Sequence, residues 1–330
     1  MSEFNVVVVE INKIGKHPNA DSLSITQIMG GYPCIFRTGD FKPGDKAVYV
    51  PVDALVPLTE DRWAFLKDPE HPEKTQHRIK AKKLRGIFSM GVLTPCNNSD
   101  WVVGQNVQQF LNIGKWDPEA TASINGCCEK DLSGMPTYTD IEGLRKYKNV
   151  LVPGEEVVLT EKIHGSNFRS VYRDGRLWVG SHYQVKREEA NSAFWQAAKT
   201  CDLESRLKIY PDKVFFGEMF GNVSDLKYGA DKEHPLFLRF FDIFDISLGK
   251  YIDYDDFMNI LSELGLLPVP ELYRGPWSID LVPHSEGKST IYDKHVREGF
   301  VVKPVKERYE HCGRVIFKYV GEGYLLRKEK

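Results

Sequence analysis

The first 96 residues break into five short β segments, 4–11, 22–29, 33–37, 46–52 and 84–94, and the residues between them are turn formers. Short strands punctuated by Gly, Pro and Asp predict a small closed sheet rather than a layered α/β domain. Two of the turns are explicit. In His17-Pro18-Asn19-Ala20-Asp21 and Lys42-Pro43-Gly44-Asp45, proline presets φ, and in the second of them glycine permits the reversal. The charged, proline-containing stretch 58–76 predicts a loop or short helix inserted before the last strand.

Five such strands fit an OB-like barrel. The pattern then changes. Residues 97–149 are polar and irregular, whereas the chain beyond them carries longer strands at 156–163 and 236–246 and helical stretches at 188–209 and 254–264. In the last of these, Phe257, Ile260, Leu261 and Leu264 fall on one helical face, Gly265 supplies the stop and Pro268 lies beyond it. Asp174-Gly175, between 168–173 and 176–180, is a two-residue hairpin signal. The expected fold class is α+β: an OB-like β-barrel over 1–115, a linker over 116–149 and an antiparallel α+β domain over 150–330.

Lys plus Arg number 44 against 46 Asp plus Glu, a net charge of -2, so no global basic field draws the chain to nucleic acid. A nucleic-acid site must be a local patch. The sequence offers one at Arg78, Lys80, Lys82, Lys83 and Arg85, where the alternation of the first three lines one face of an extended segment. The start of the chain has no basic n-region, and the apolar run 6–9 is too short for a signal sequence or membrane span, which predicts a cytoplasmic protein. Six cysteines without CxxC spacing read as buried free thiols rather than a zinc site. Nothing suggests an obligate protein partner, and a monomer is the default expectation.

The chemistry concentrates in Glu161-Lys162-Ile163-His164-Gly165-Ser166-Asn167, at the end of the strand that begins at 156. A lone lysine at a strand end is ordinarily solvated. Here it is delivered into small and polar neighbours, where backbone can approach a ligand closely. An amine becomes a nucleophile only when desolvation or neighbouring charge alters its proton affinity.

Lys-x-His-Gly-x-Asn resembles motif I of the covalent nucleotidyltransferases, and its histidine resembles the RNA ligases. An ordered series follows: Phe216-Gly217-Glu218-Met219-Phe220-Gly221 resembles motif III, Arg239-Phe240-Phe241-Asp242 motif IIIa, Glu298-Gly299-Phe300-Val301-Val302-Lys303 motif IV, and Ile316-Phe317-Lys318-Tyr319 motif V. The OB-like module placed before them resembles one family of ATP-dependent RNA ligases. The resemblance implies that Lys162, Glu218, Glu298 and Lys318 are catalytic. It also implies that Glu161, Ile163, His164, Asn167, Arg145, Phe240 or Phe241, and Lys318 contact the nucleotide. Glu218 and Glu298 would serve the metal, Mg2+ or Mn2+. Gly180-Ser181-His182 resembles motif Ia, which implies RNA contacts for Ser181 and His182. Two positions depart from the family pattern: Val320 stands where many members have a second lysine, so either one lysine suffices or Arg327 or Lys328 substitutes, and His182 stands where arginine is common.

The implied reaction runs from ATP through a lysyl-AMP to an adenylated RNA 5′ end and a sealed 3′-OH/5′-phosphate junction, in RNA or an RNA/DNA duplex, with RNA repair as its setting. A capping guanylyltransferase would share the lysine chemistry but use GTP. A non-catalytic OB-domain RNA-binding protein would not need the set Lys162, Glu218, Glu298 and Lys318.

Overall fold

The four valines at 6–9 are apolar in succession because their strand serves two cores at once. Val6 and Val8 pack with Val48, Val50, Val56 and Trp63, while Val7 and Val9 pack with Ile11, Phe36, Ala47 and Tyr49. Successive side chains leave a strand on opposite faces, so a strand buried on both loses the usual polar alternation.

The computed structural model describes residues 4–28, 31–116 and 127–327. It divides into one unit of Met1–Pro118 with Gly143–Lys148 and another of Glu119–Glu142 with Asn149–Lys330. The first unit carries β1 (Val7–Glu10), β2 (Leu23–Ile28), β3 (Tyr32–Arg37), β4 (Lys46–Val50), β5 (Ala54–Pro57), β6 (Gln76–Arg78), β7 (Lys82–Leu84), β8 (Ile87–Ser89) and β9 (Val92–Pro95). Strand β4 lies between β1 and β9, antiparallel to both, and β2 pairs with β3. A 3-10 helix, Asp61–Leu66, forms inside the stretch 58–76.

Two expectations need correction here. The segment 84–94 is not one strand: Arg85 and Gly86 take φ of 46° and 89° and close a two-residue hairpin between β7 and β8, with Leu84 opposite Ile87. The expected linker over 116–149 is not uniformly linker either, and the polar residues 97–115 before it carry part of the barrel core. Trp101, Val107, Leu111 and Ile113 fill the core of the first unit, whereas Met135 and Tyr138 pack with Trp178 and Phe216 in the second. Met29, which ends the second expected segment, and 117–126 of the expected linker lie outside the described residues.

The second unit is built on two antiparallel sheets. One runs in the order β18 (Phe317–Val320), β17 (Gly299–Pro304), β10 (Glu156–Lys162), β16 (Glu271–Pro276); the other in the order β12 (Arg176–Gly180), β11 (Ser166–Arg173), β13 (Lys213–Gly221), β14 (Leu236–Asp245), β15 (Lys250–Tyr251). Asp174 and Gly175 both have positive φ and turn β11 into β12, as the sequence predicts. Helix α3 (Tyr254–Leu264) buries Phe257, Leu261 and Leu264 and stops where Gly265 takes a left-handed φ of 62°. The stretch 188–209 instead gives two shorter helices, α1 (Ala193–Thr200) and α2 (Leu203–Leu207), because Asp202 has φ of 48° and breaks the helical path. Both bury apolar residues against Phe168, Leu177, Val179 and Phe215. A four-residue helix, α4 (Glu322–Leu325), follows β18.

Thiol burial also differs from expectation. Cys34 is buried, but Cys127 and Cys128 are exposed, because the segment carrying them adds to an edge, where Cys128 bridges Lys186. No helix among the described residues is long and apolar enough to cross a membrane.

Candidate active site

Lys162 is the last residue of β10 and sits opposite Gly299, the first residue of β17. Gly299 has φ of 154°, and a Cβ there would lie 2.0 Å from the Tyr319 carbonyl oxygen, so only glycine can turn the chain at this point. That turn sets Glu298 over the strand end, with its Oε1 2.7 Å from Lys162 Nζ. Glu218 projects from β13 opposite Asn167 of β11. Its carboxyl group accepts the Gly165 N–H. A Cβ on Gly165 would meet the Met219 carbonyl at 2.3 Å, so the glycine of the lysine motif is what lets that backbone come close.

Two carboxyl groups thus share one ammonium in a largely desolvated place. Burial alone disfavours the charged Lys162, but Glu298 and Glu218 overcome it and hold the ammonium above its ordinary proton affinity. Burial pushes the Glu218 carboxyl up to about 8, against the pull of Lys162 and with the support of Glu298. At neutral pH the resting cluster is therefore an ion pair, Lys162 with Glu298, beside a protonated Glu218. Among the buried acceptor atoms of the described residues that have no hydrogen-bond partner are Glu298 Oε2, Asn167 Oδ1 and Glu161 Oε1. An unpaired buried acceptor costs about 1–3 kcal/mol, which a bound cation or donor would recover. No three His, Cys, Asp or Glu side chains among the described residues form a metal-holding group. Two carboxylates plus substrate phosphates nonetheless form an ordinary magnesium environment. Glu218 and Glu298 fit that description.

His164 is held at both ring nitrogens: Nε2 is 2.8 Å from Asp225 Oδ1 and Nδ1 is 2.7 Å from the Tyr324 hydroxyl. Its backbone N–H donates to Tyr228 Oη at 2.9 Å. Burial pushes the imidazole below its ordinary pKa. Arg327 is committed to the same cluster, 3.2 Å from Asp225 Oδ2 and with its guanidinium 3.7 Å from the centre of the Tyr324 ring. Lys328 lies outside the described residues.

The remaining sequence candidates are distributed as follows. Lys318 sits across from Val301, which sits across from Thr160. Thr160 and Lys162 are two residues apart, so both lysines share one face of the sheet, separated by two strands and two residues, roughly 12 Å. Val320, on that face too, is packed with Ile163 and Tyr228. Glu161 points away from Lys162; its Oε2 accepts the Thr290 N–H at 2.8 Å. Ile163 is buried in the core. The pair of phenylalanines separates: Phe240 is 1% exposed and packed on Phe215, whereas Phe241 occupies the irregularity in the β13–β14 register and is half-buried against Tyr138. Phe240 is therefore unavailable to a base, which corrects that candidate. Arg145 falls in the first unit, on the turn Leu144–Lys146. Ser181 and His182 lie in the turn after β12, where the Ser181 carbonyl accepts from Arg169 at 2.7 Å.

In the first unit, Ile79 and Ala81 are buried and alternate with the partly buried Arg78 and the exposed Lys80 and Lys82. The expected alternation is thus present, and Lys83 and Arg85 extend the exposed charge. Arg78 differs from the others: it pairs with Asp53 at 2.7 Å and lies 3.1 Å over the Trp116 ring.

Sequence reasoning missed Asp225 and Tyr324, which belong to no motif it used. It also quoted Asp242 and Lys303 without seeing that they form a buried cluster. Asp242 contacts Arg314 at 2.6 Å, Lys303 at 3.0 Å and the Tyr138 hydroxyl at 2.7 Å, and Glu307 pairs with both cations. The apolar strands flanking Lys303 and Arg314 were the available signal, since a buried cation requires a buried anion.

A profile of the RNA ligase family matches residues 155–320, and a profile of an OB-fold domain matches residues 5–96. The chain belongs to the RNA ligase family. Its fold is that of Naegleria gruberi RNA ligase. The structure of that ligase with PPi is 22% identical, covers 98% of each chain and superposes with a TM-score of 0.82. A point mutant of it with ATP and Mn, 22% identical, gives 0.83 over 97% of this chain and 98% of that one. Among curated proteins, the Early 65 kDa protein of Autographa californica nuclear polyhedrosis virus is 22% identical over 209 residues, 58% of this chain. The phenylalanine–tRNA ligase beta subunit of Cupriavidus pinatubonensis is 27% identical over 126 residues, 33% of this chain. The chain spans 35% and 14% of the lengths of these two proteins.

Proposed function

We propose that the protein is an ATP-dependent RNA ligase that seals 3′-OH and 5′-phosphate ends through a lysyl-AMP intermediate, in cytoplasmic RNA repair. The observation that carries this reading is the Lys162–Glu298 pair, 2.7 Å apart with Glu218 beside it, in a chain of the RNA ligase family. Support comes from a fold shared with a ligase solved with ATP and Mn.

In the first step Lys162 gives up its proton to water and its hold on Glu298, and its amine attacks the α-phosphorus of ATP. A nitrogen–phosphorus bond forms and the bond to pyrophosphate breaks. Glu218 and Glu298 would hold a divalent cation, Mg2+ or Mn2+, which would supply charge neutralisation at the phosphate oxygens. Lys318, on the same sheet face as Lys162, stabilises the transferring phosphate. Phe241, the less buried ring of the pair, is the one assigned to stack on adenine, and Asn167 offers an unpaired acceptor to the nucleotide. In the second step AMP passes to the RNA 5′-phosphate. In the third the 3′-OH attacks that phosphate and AMP leaves. Lys80, Lys82, Lys83 and Arg85 present the cationic surface of the OB-fold unit to the RNA backbone, and Ser181 and His182 add contacts near β12.

The test is strand joining on a nicked duplex with RNA on both sides of the nick, in the presence of Mn2+ and either ATP or GTP. Sealing with ATP and not GTP is expected. Sealing with neither, or GTP-dependent transfer to a diphosphate end, contradicts the reading.

A further inference from the structure

Both ring nitrogens of His164 are occupied, and hydrogen-bond arithmetic fixes which one carries the proton. Asp225 is an acceptor only, held ionised by Arg327 and His164 against the effect of burial. The nitrogen facing it, Nε2 at 2.8 Å, must therefore be the donor. In the neutral ring Nδ1 is then a lone pair, and it accepts from the Tyr324 hydroxyl at 2.7 Å. Glu298 Oε2 lies 3.9 Å from that same Nδ1, is buried and has no hydrogen-bond partner. A proton on Nδ1 would supply one.

We propose that Asp225 and Tyr324 are positioning residues that lock His164 in its Nε2–H tautomer, so that no imidazole N–H reaches Glu298 Oε2 and that oxygen stays open to a divalent cation. The proposal rests on the assignment of Glu298 to the metal made above. The surrounding structure is arranged to hold the lock. Arg327 grips Asp225 while lying over the Tyr324 ring. Tyr324 is fixed in turn because the Glu286 carboxylate accepts the N–H groups of Glu322 and Gly323, at 2.7 and 3.2 Å, at the start of α4. The last described turn of the chain therefore acts on the metal carboxylate through His164. Nitrogen position, rather than net charge, is what it controls.

The test uses two readouts that need neither ATP nor RNA. Long-range nitrogen–proton NMR of the metal-free protein reports the His164 tautomer, and electron paramagnetic resonance reports binding of Mn2+. In wild type the proton is expected on Nε2. Asp225→Ala is expected to move it toward Nδ1 and to weaken Mn2+ binding by about 10-fold, the scale of effects seen when a group orienting a metal site is removed. Asp225→Asn keeps an acceptor oxygen and should restore most of that affinity, which a purely structural role would not require. Tyr324→Phe, which removes only a hydroxyl, should shift the tautomer in the same direction by less, and it serves if Asp225→Ala does not fold. A wild-type proton on Nδ1, or folded Asp225→Ala and Tyr324→Phe proteins that bind Mn2+ as wild type does, overturns the proposal. Failure of the ligase reading would appear separately, as wild-type protein that binds Mn2+ but forms no AMP adduct.

Discussion

Lys162 Nζ and Glu298 Oε1 are 2.7 Å apart, so the resting site pairs the proposed nucleophile with a proposed metal carboxylate. The pairing stabilises the ammonium. It thereby keeps the amine unreactive until the carboxylate is engaged elsewhere. Glu218 completes the balance: below about pH 8 it is a neutral acid that adds no second negative charge to a buried site, and its charge helps hold the ammonium only once it ionises above that pH.

A proton must leave Glu218 before it can ligate a cation. With its carboxyl pushed up to about 8, Mn2+ binding at pH 7 should release close to one proton per site, falling toward none at pH 9. Calorimetric titration in buffers of different ionisation enthalpy measures this. Glu218→Gln should remove the release.

The same group sets a pH dependence of stability in the metal-free protein. Its folded pKa, about 8, is raised above the ordinary 4.5, so its contribution is fully present below pH 4.5 and is lost as pH rises through 8. The slope is at most roughly 1.4 kcal/mol per pH unit across that window. Denaturant unfolding of wild type and Glu218→Gln from pH 5 to 8.5 should show the loss in wild type and a flatter profile in the variant.

Gly299→Ala should cost more than about 2 kcal/mol, because the new Cβ would press on the Tyr319 carbonyl at 2.0 Å in a conformation that L-residues rarely adopt. Unfolding midpoints test this. Loss of AMP transfer should accompany the loss of stability, since the same turn aims Glu298 at Lys162.

Removing one member of the buried cluster should be severe. Asp242→Ala leaves Arg314 and Lys303 to share the Glu307 carboxylate, and breaking a buried pair in this way costs about 3–5 kcal/mol. Replacing the exposed Lys80, Lys82 and Lys83 with Ala should instead leave stability and AMP transfer intact. Filter binding across salt concentrations should show weaker RNA binding and a salt slope shallower by roughly 2–3. Arg78→Ala is expected to act on stability as well, through its Asp53 and Trp116 contacts.

What the sequence revealed depended on how local each signal was. Helix α3 was legible because its apolar spacing and Gly265 are contiguous, and the β11–β12 hairpin because Asp174-Gly175 encodes its own turn. Lys162, Glu218 and Glu298 were legible through motifs that carry small residues needed for close backbone approach. The interruption at Asp202 was not, because tertiary packing of α1 and α2 overrides a pattern that reads as one helix. Nor could pattern distinguish Phe240 from Phe241, since a register irregularity between strands decides which ring enters the core. Asp225 and Tyr324 were invisible because they meet His164 across 61 and 160 positions of chain.

The central claim is that Lys162 is the nucleophile that receives AMP. It is tested most directly by incubating the protein with ATP and Mn2+ and mapping the adduct by peptide mass spectrometry. A single AMP on Lys162, absent from Lys162→Ala, is predicted. No adduct, or one that forms equally on the Lys162→Ala protein, would contradict it.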